Sequence, residues 1–164
     1  VPTQPVQPPL PPADPVVTPA GEILIEAETG RLGADMARWS DDPAASGGWY
    51  VAARPGTTSL TEPPPARGQA VYTFTVARPT VYLLEARVLT PTVSDDSFWV
   101  RVDDGPWIAW TRIGAGNTWR WVAVRDGAQK DALQQFALQA GTHTVVFAIR
   151  EDGAGLDQIR LKPK

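Results

Sequence analysis

The chain has no cysteine and only one histidine and one methionine, and Asn117 is its sole asparagine. Without cysteine it has neither disulfides nor thiolate chemistry. With His143 alone, no histidine metal cluster can form, and no nucleophile elbow or phosphate loop appears. Long apolar runs are missing too: none approaches the roughly 18 residues of a membrane-crossing helix. Nor is there an excess of positive charge. With 15 Lys and Arg against 18 Asp and Glu, net charge −3 and pI near 5.1, the chain carries no electrostatic footprint for nucleic acid or an anionic membrane. The scarcity of lysine, methionine and asparagine fits a heat-adapted source and a GC-rich genome equally.

What is present divides the chain in two. Residues 1–21 form a Pro-rich arm, with eight of the 17 prolines falling in residues 1–20. Such a density excludes helix and favours extended polyproline II. The arm reads either as a linker to another domain or as an assembly arm that docks on a neighbouring copy. Residues 22–164 have the composition of one globular domain, the whole chain being 43% hydrophobic and 20% charged. A start at Val1 rather than Met is expected of a trimmed, exported protein and equally of a piece excised from a longer chain.

From residue 22 the period is that of strands. Alternating or β-branched runs occur at Val71 to Val76, Val81 to Leu89, Ser97 to Asp103, Trp119 to Val124 and His143 to Arg150. Gly, Pro and Asp punctuate them, as in Asp103-Asp104-Gly105 and Arg125-Asp126-Gly127. Only Gln129 to Gln135 has the pattern of a helical turn or two. The predicted fold is an all-β sandwich of the jelly-roll kind preceded by an extended arm.

Two predicted strands carry acids. Ile23 to Glu28 places Glu26 and Glu28 on one face with Leu24, and Leu156 to Leu161 places Asp157 with Ile159 and Leu161. If the first and last strands are neighbours, three carboxylates converge, and such oxygen ligands suit Ca²⁺. Pairing with Arg31 or Arg160 is the alternative. The doublets Asp41-Asp42, Asp95-Asp96, Asp103-Asp104 and Glu151-Asp152 read as turn chemistry rather than as a glycosidase pair. His143 reads as structural, at the start of a strand. No catalytic constellation is expected.

Seven tryptophans remain, five of them between residues 99 and 121. Aromatic planes accept the apolar C–H faces of sugar rings, although tryptophan also fills cores and interfaces, the expected place of most of these. Trp39 (expected on a loop), Trp99 (turned outward from its strand) and Trp119 are the candidate platforms, with Arg150 and Glu151 as polar partners.

Several segments taken in order resemble carbohydrate-binding modules of families six and thirty-five: Glu26-Ala27-Glu28, Ala45 to Val51, Asp95 to Val100, Ala140 to Thr144 and Arg150 to Asp157. The similarity covers about residues 22 to 162. It implies a galactose-binding-like β-sandwich, non-catalytic, extracellular and partnered by polysaccharide. It also implies structural Ca²⁺ held by Glu26, Glu28 and Asp157. Where many of these modules carry a sugar-contacting asparagine two residues before the closing acid, this chain has Gly155. An assembling structural subunit, its arm bound along the next copy, is the rival expectation.

Overall fold

The computed structural model describes residues 9–10 and 14–164. Most of the arm expected to adopt polyproline II lies outside the described residues. All strand pairings among the described residues are antiparallel. In the larger sheet, β1 (Val16–Val17) lies beside β2 (Ile23–Glu26), and β2 beside the last strand, β15 (Gly155–Pro163). Next to β15 stands β7 (Thr80–Thr90), whose far edge holds β10 (Gly116–Ala123) and β13 (Gln135–Leu138). The hairpin of β4 (Met36–Trp39) and β5 (Tyr50–Ala53) attaches to β15 through Val51 and Leu156.

The second sheet runs β3 (Arg31–Leu32), β6 (Gln69–Val76), β14 (Gly141–Ile149), β8 (Phe98–Val102) and β9 (Ile108–Trp110). A short ribbon of β11 (Arg125–Asp126) and β12 (Ala132–Leu133) stands apart. First and last strands are indeed neighbours, with Ile25 opposite Ile159.

Alternation decides which side chains enter the core. On β7 the interior side is Tyr82, Leu84, Ala86 and Val88; on β6 it is Ala70, Tyr72, Phe74 and Val76. The β8 residues Phe98, Val100 and Val102 also point inward, leaving Trp99 and Arg101 on the outer face. Phe98, Trp110 and Phe147 form an aromatic cluster with centroids 6.0 to 6.3 Å apart. Burial of each contributes roughly 1.5–3 kcal/mol or more. The turn of helix expected over Gln129 to Gln135 is absent. A 3-10 turn covers Gly127–Gln129 instead, and β12 and β13 take the rest, because pairing with β7 and β11 outweighs local propensity.

Candidate functional site

Glu26 closes β2 on the same outer face as Leu24. Glu28 does not continue the strand as its spacing suggests. Ala27–Thr29 form a 3-10 turn, held by Thr29 Oγ1 donating to the Glu26 carbonyl at 2.7 Å and by Arg38, whose Nε and Nη2 donate to the carbonyls of Glu28 and Gly30. The turn carries Glu28 into the protein, where it is 1% exposed. Asp157 is fully buried and sits at a bulge: between Leu156 and Gln158 the register of β15 against β7 shifts. Leu156 and Ile159 both reach the core, so the extra residue re-aims the Asp157 carboxylate away from simple alternation.

Asp157 Oδ1 accepts from Ser46 N–H at 2.9 Å, and its Oδ2 pairs with Arg87. Glu26 Oε1 accepts from Gln158 Nε2 at 2.7 Å and from Ser46 Oγ at 3.1 Å. Both Glu28 carboxylate oxygens and Glu26 Oε2 are buried with no hydrogen-bond partner among the described residues. Burial, reinforced by Glu26 and Asp157, pushes the Glu28 carboxyl up to about 7. Burial likewise raises Asp157 to about 6, against the opposing pull of Arg87 and Ser46. The partner of Asp157 is thus Arg87, not Arg31 or Arg160; Arg160 pairs with Glu85 and covers the Trp121 ring at 4.3 Å. Among the described residues no three acidic or histidine side chains are gathered tightly enough to enclose a metal by themselves. A cation here needs backbone or solvent oxygens as well.

The loop of residues 40–49 joins this acidic group to an aromatic one. Ser46 reaches Asp157 and Glu26, the Ala44 carbonyl accepts from Arg87 Nη2 at 3.2 Å, and Asp42 Oδ2 accepts from Trp119 Nε1 at 2.8 Å. Gly47 takes the left-handed turn of this loop at φ 58°, a conformation that favours glycine, with Glu28 Oε1 nearby. Trp119 packs on Tyr50 with centroids 5.2 Å apart, and the Tyr50 hydroxyl donates to Asp41 Oδ1 at 2.8 Å. The Trp119 ring lies against Gly155, where a Cβ would meet its Cη2 at 3.0 Å.

Trp39 is the last residue of β4 rather than part of a loop, because hairpin pairing sets it directly opposite Tyr50. It is half-buried, with its indole N–H covered. Trp39 and Trp119 therefore share the neighbourhood of Tyr50, whereas Trp99 does not. Trp99 stands on the outer face of the second sheet under the Arg150 guanidinium, 5.7 Å from the ring centroid. Arg150 Nη1 donates to Ser97 Oγ at 2.8 Å, and Glu151 Oε2 accepts from Asp96 N–H at 2.7 Å. Of the seven tryptophans only Trp49 and Trp110 are buried; Trp99, Trp107 and Trp121 are capped by Arg150, Arg101 and Arg160. Sequence reasoning missed Tyr50, Asp42 and Arg87 as members of the site. The nearest signal was the segment Ala45 to Val51, which contains Tyr50.

No protein-family model and no curated protein sequence matches the chain. Solved structures do. A family 35 carbohydrate-binding module from Clostridium thermocellum superposes with TM-score 0.60 at 22% identity, over 85% of this chain and 97% of its own. The fold is that of a family 35 carbohydrate-binding module. The GH26-CBM35 β-(1,4)-mannanase of Podospora anserina matches with TM-score 0.63 at 21% identity over 88% of this chain, which spans only 28% of that enzyme. An exo-β-1,3-galactanase of Phanerochaete chrysosporium matches with TM-score 0.60 at 20% identity over 87% of this chain and 29% of its own. Such identities establish the module fold; the ligand is a matter for the site.

Proposed function

We propose that the chain is a non-catalytic, extracellular carbohydrate-binding module whose glycan platform is the Trp119–Tyr50 pair, and whose acidic group beneath it takes Ca²⁺. The observation that carries the reading is the Trp119 ring resting on Gly155 beside Tyr50, its N–H held by Asp42. A half-buried ring fixed at its polar edge offers a plane for the C–H face of a sugar at little entropic cost. The asparagine that the family resemblance would place at position 155 is not needed for that stacking, and Gly155 leaves room for the ring. Asp41 and Asp42 occupy the polar handles of both aromatics and Asp157 neutralises Arg87, so the platform favours neutral sugars over uronates. Glu26 Oε2 and the two Glu28 oxygens are the free donors for Ca²⁺, with Asp157 alongside. A bound cation supplies positive charge that lets these carboxylates remain ionised in a buried place.

The test is a tryptophan-fluorescence titration with β-1,4-mannan, β-1,3-galactan, an α-1,6-glucan and polygalacturonate. The expected outcome is saturable binding to at least one neutral glycan, weakened tenfold or more by Trp119→Ala, which corresponds to about 1.4 kcal/mol. Trp99→Ala leaves it unchanged. Silence of the parent chain toward every neutral glycan overturns the proposal.

A further inference from the structure

The sandwich has an open seam between the β1–β2 edge of one sheet and the β6 edge of the other. A groove of about 540 Å³ runs along it, with Ile23, Ile25, Tyr72 and Phe74 among its lining residues. Its second wall is incomplete. β3 pairs with β6 only at Ala70 and Val71, so from Tyr72 to Val76 the outer edge of β6 has no strand partner among the described residues. Five residues of open edge are about 17 Å of unpaired backbone, a template for another extended chain. Thr73 and Thr75 are exposed along it.

The described end of the arm reaches the lip of this groove. Asp14 and Pro15 stand at its lip, and Val16 and Val17 are 60% and 62% exposed. Val16 faces Leu24 and Val17 faces Ile23, so the chain before Val16 leads toward the Glu26 end of β2 and beyond. To enter its own groove the arm would have to reverse and return along β6. Residues 1–20 contain eight prolines and no glycine, a composition that resists reversal. Leu10 is 55% exposed, so the arm's own domain does not cover it.

We infer that the groove receives the Pro-rich arm of a second copy of this chain, residues 1–13 lying along the free edge of β6. Fully extended at about 3.1 Å per residue, thirteen residues span about 40 Å, more than twice the open edge. Val6 and Leu10 are the side chains suited to cover the apolar floor. Prolines remove main-chain donors, so the contact rests on apolar cover with few ladder bonds and is a weak one. Arm and groove are different surfaces, so the contact is heterologous and propagates into a ring or an open fibre. It stands independently of the glycan reading.

Because the chain has no cysteine, disulfide trapping reads the contact directly. A Val6→Cys/Thr75→Cys chain under mild oxidation is expected to give a ladder of covalent oligomers on a non-reducing gel. A bond formed only within single chains, or none at all, overturns the inference. Sedimentation supplies the second arm of the test. The parent chain grows with concentration, whereas a chain lacking residues 1–13 and a Thr73→Lys/Thr75→Lys chain each stay monomeric. Mixed, those two form a heterodimer that goes no further, since one supplies the groove and the other the arm. A parent that is monomeric at every concentration, or variants that assemble as the parent does, sinks the proposal.

Discussion

His143 shows what one residue's surroundings add to its identity. Its Nδ1 faces Asp103 Oδ2 at 2.7 Å and its Nε2 faces the Gln139 carbonyl at 2.8 Å, so both ring nitrogens meet acceptors. Only the imidazolium donates to both. The Asp103 carboxylate, helped by the Gln139 carbonyl, holds the pKa above the ordinary 6.5 even though burial opposes it. The folded value therefore exceeds the unfolded one. The stabilisation is complete below pH 6.5 and is lost as pH rises through the raised folded value. Thermal melts from about pH 6 to about pH 9 are expected to show Tm falling in that window. His143→Gln should reduce this slope above about pH 7, where the Glu28 carboxyl has largely titrated, and cost about 1 kcal/mol on its acidic side; a slope above pH 7 that the substitution leaves unchanged rules out His143 as its cause. The structural role of His143 was legible in its place at a strand start. Its partner was not, because Asp103 lies 40 residues away in the turn after β8. Arg87 was hidden for the same reason: in sequence it is one more outward position of β7, and only folding sets it against Asp157.

At the scale of elements, alternation located the long strands and their inner faces, and irregularities in two of them made the site. The bulge at Asp157 re-aims an acid that regular pleating would have sent into the core. The register of β10 against β7 also shifts, between Gly116 and Arg120, and Trp119 falls within that irregular stretch. Its ring consequently lies over Gly155, while Trp121, opposite Arg87, lies under Arg160. Bulges leave no reliable mark on a hydrophobic pattern, since the inserted residue looks like any other. The arrangement predicts the effect of a single methyl group. In Gly155→Ala the new Cβ stands 3.0 Å from Trp119 Cη2 and 3.5 Å from Cζ3, so the indole must give way by a few tenths of an ångström. Glycan affinity is expected to drop severalfold while stability changes by less than about 1 kcal/mol. Calorimetric titration beside a thermal melt checks both; unchanged affinity places the sugar somewhere other than Trp119.

For the molecule as a whole, one loop links the acidic group, the Trp119–Tyr50 pair and the closing strand of the sandwich. Asp42, Ala44 and Ser46 engage Trp119, Arg87 and Asp157 in turn, so disturbing the acids disturbs the platform. A cation bound far above its Kd adds about 2.7 kcal/mol or more to the folded state, which for a domain of this size is a Tm shift of about 5–10 °C. EDTA is expected to lower Tm by that amount and to weaken glycan binding, and Glu28→Gln should abolish the difference. An unchanged Tm together with no calcium by elemental analysis removes the cation from the account. Among the described residues no helix is long and apolar enough to cross a membrane. The sequence by itself determined the all-β class and the inner faces of the long strands, because period-two burial is a local property of the chain. Tertiary structure alone decided that Glu28 turns inward, that Arg87 answers Asp157, that Tyr50 and Trp119 meet, and that β6 beyond Val71 has no outer strand partner among the described residues. Each of these depends on registers and bulges that bring distant residues together, and such long-range pairings are set by the packing of the two sheets.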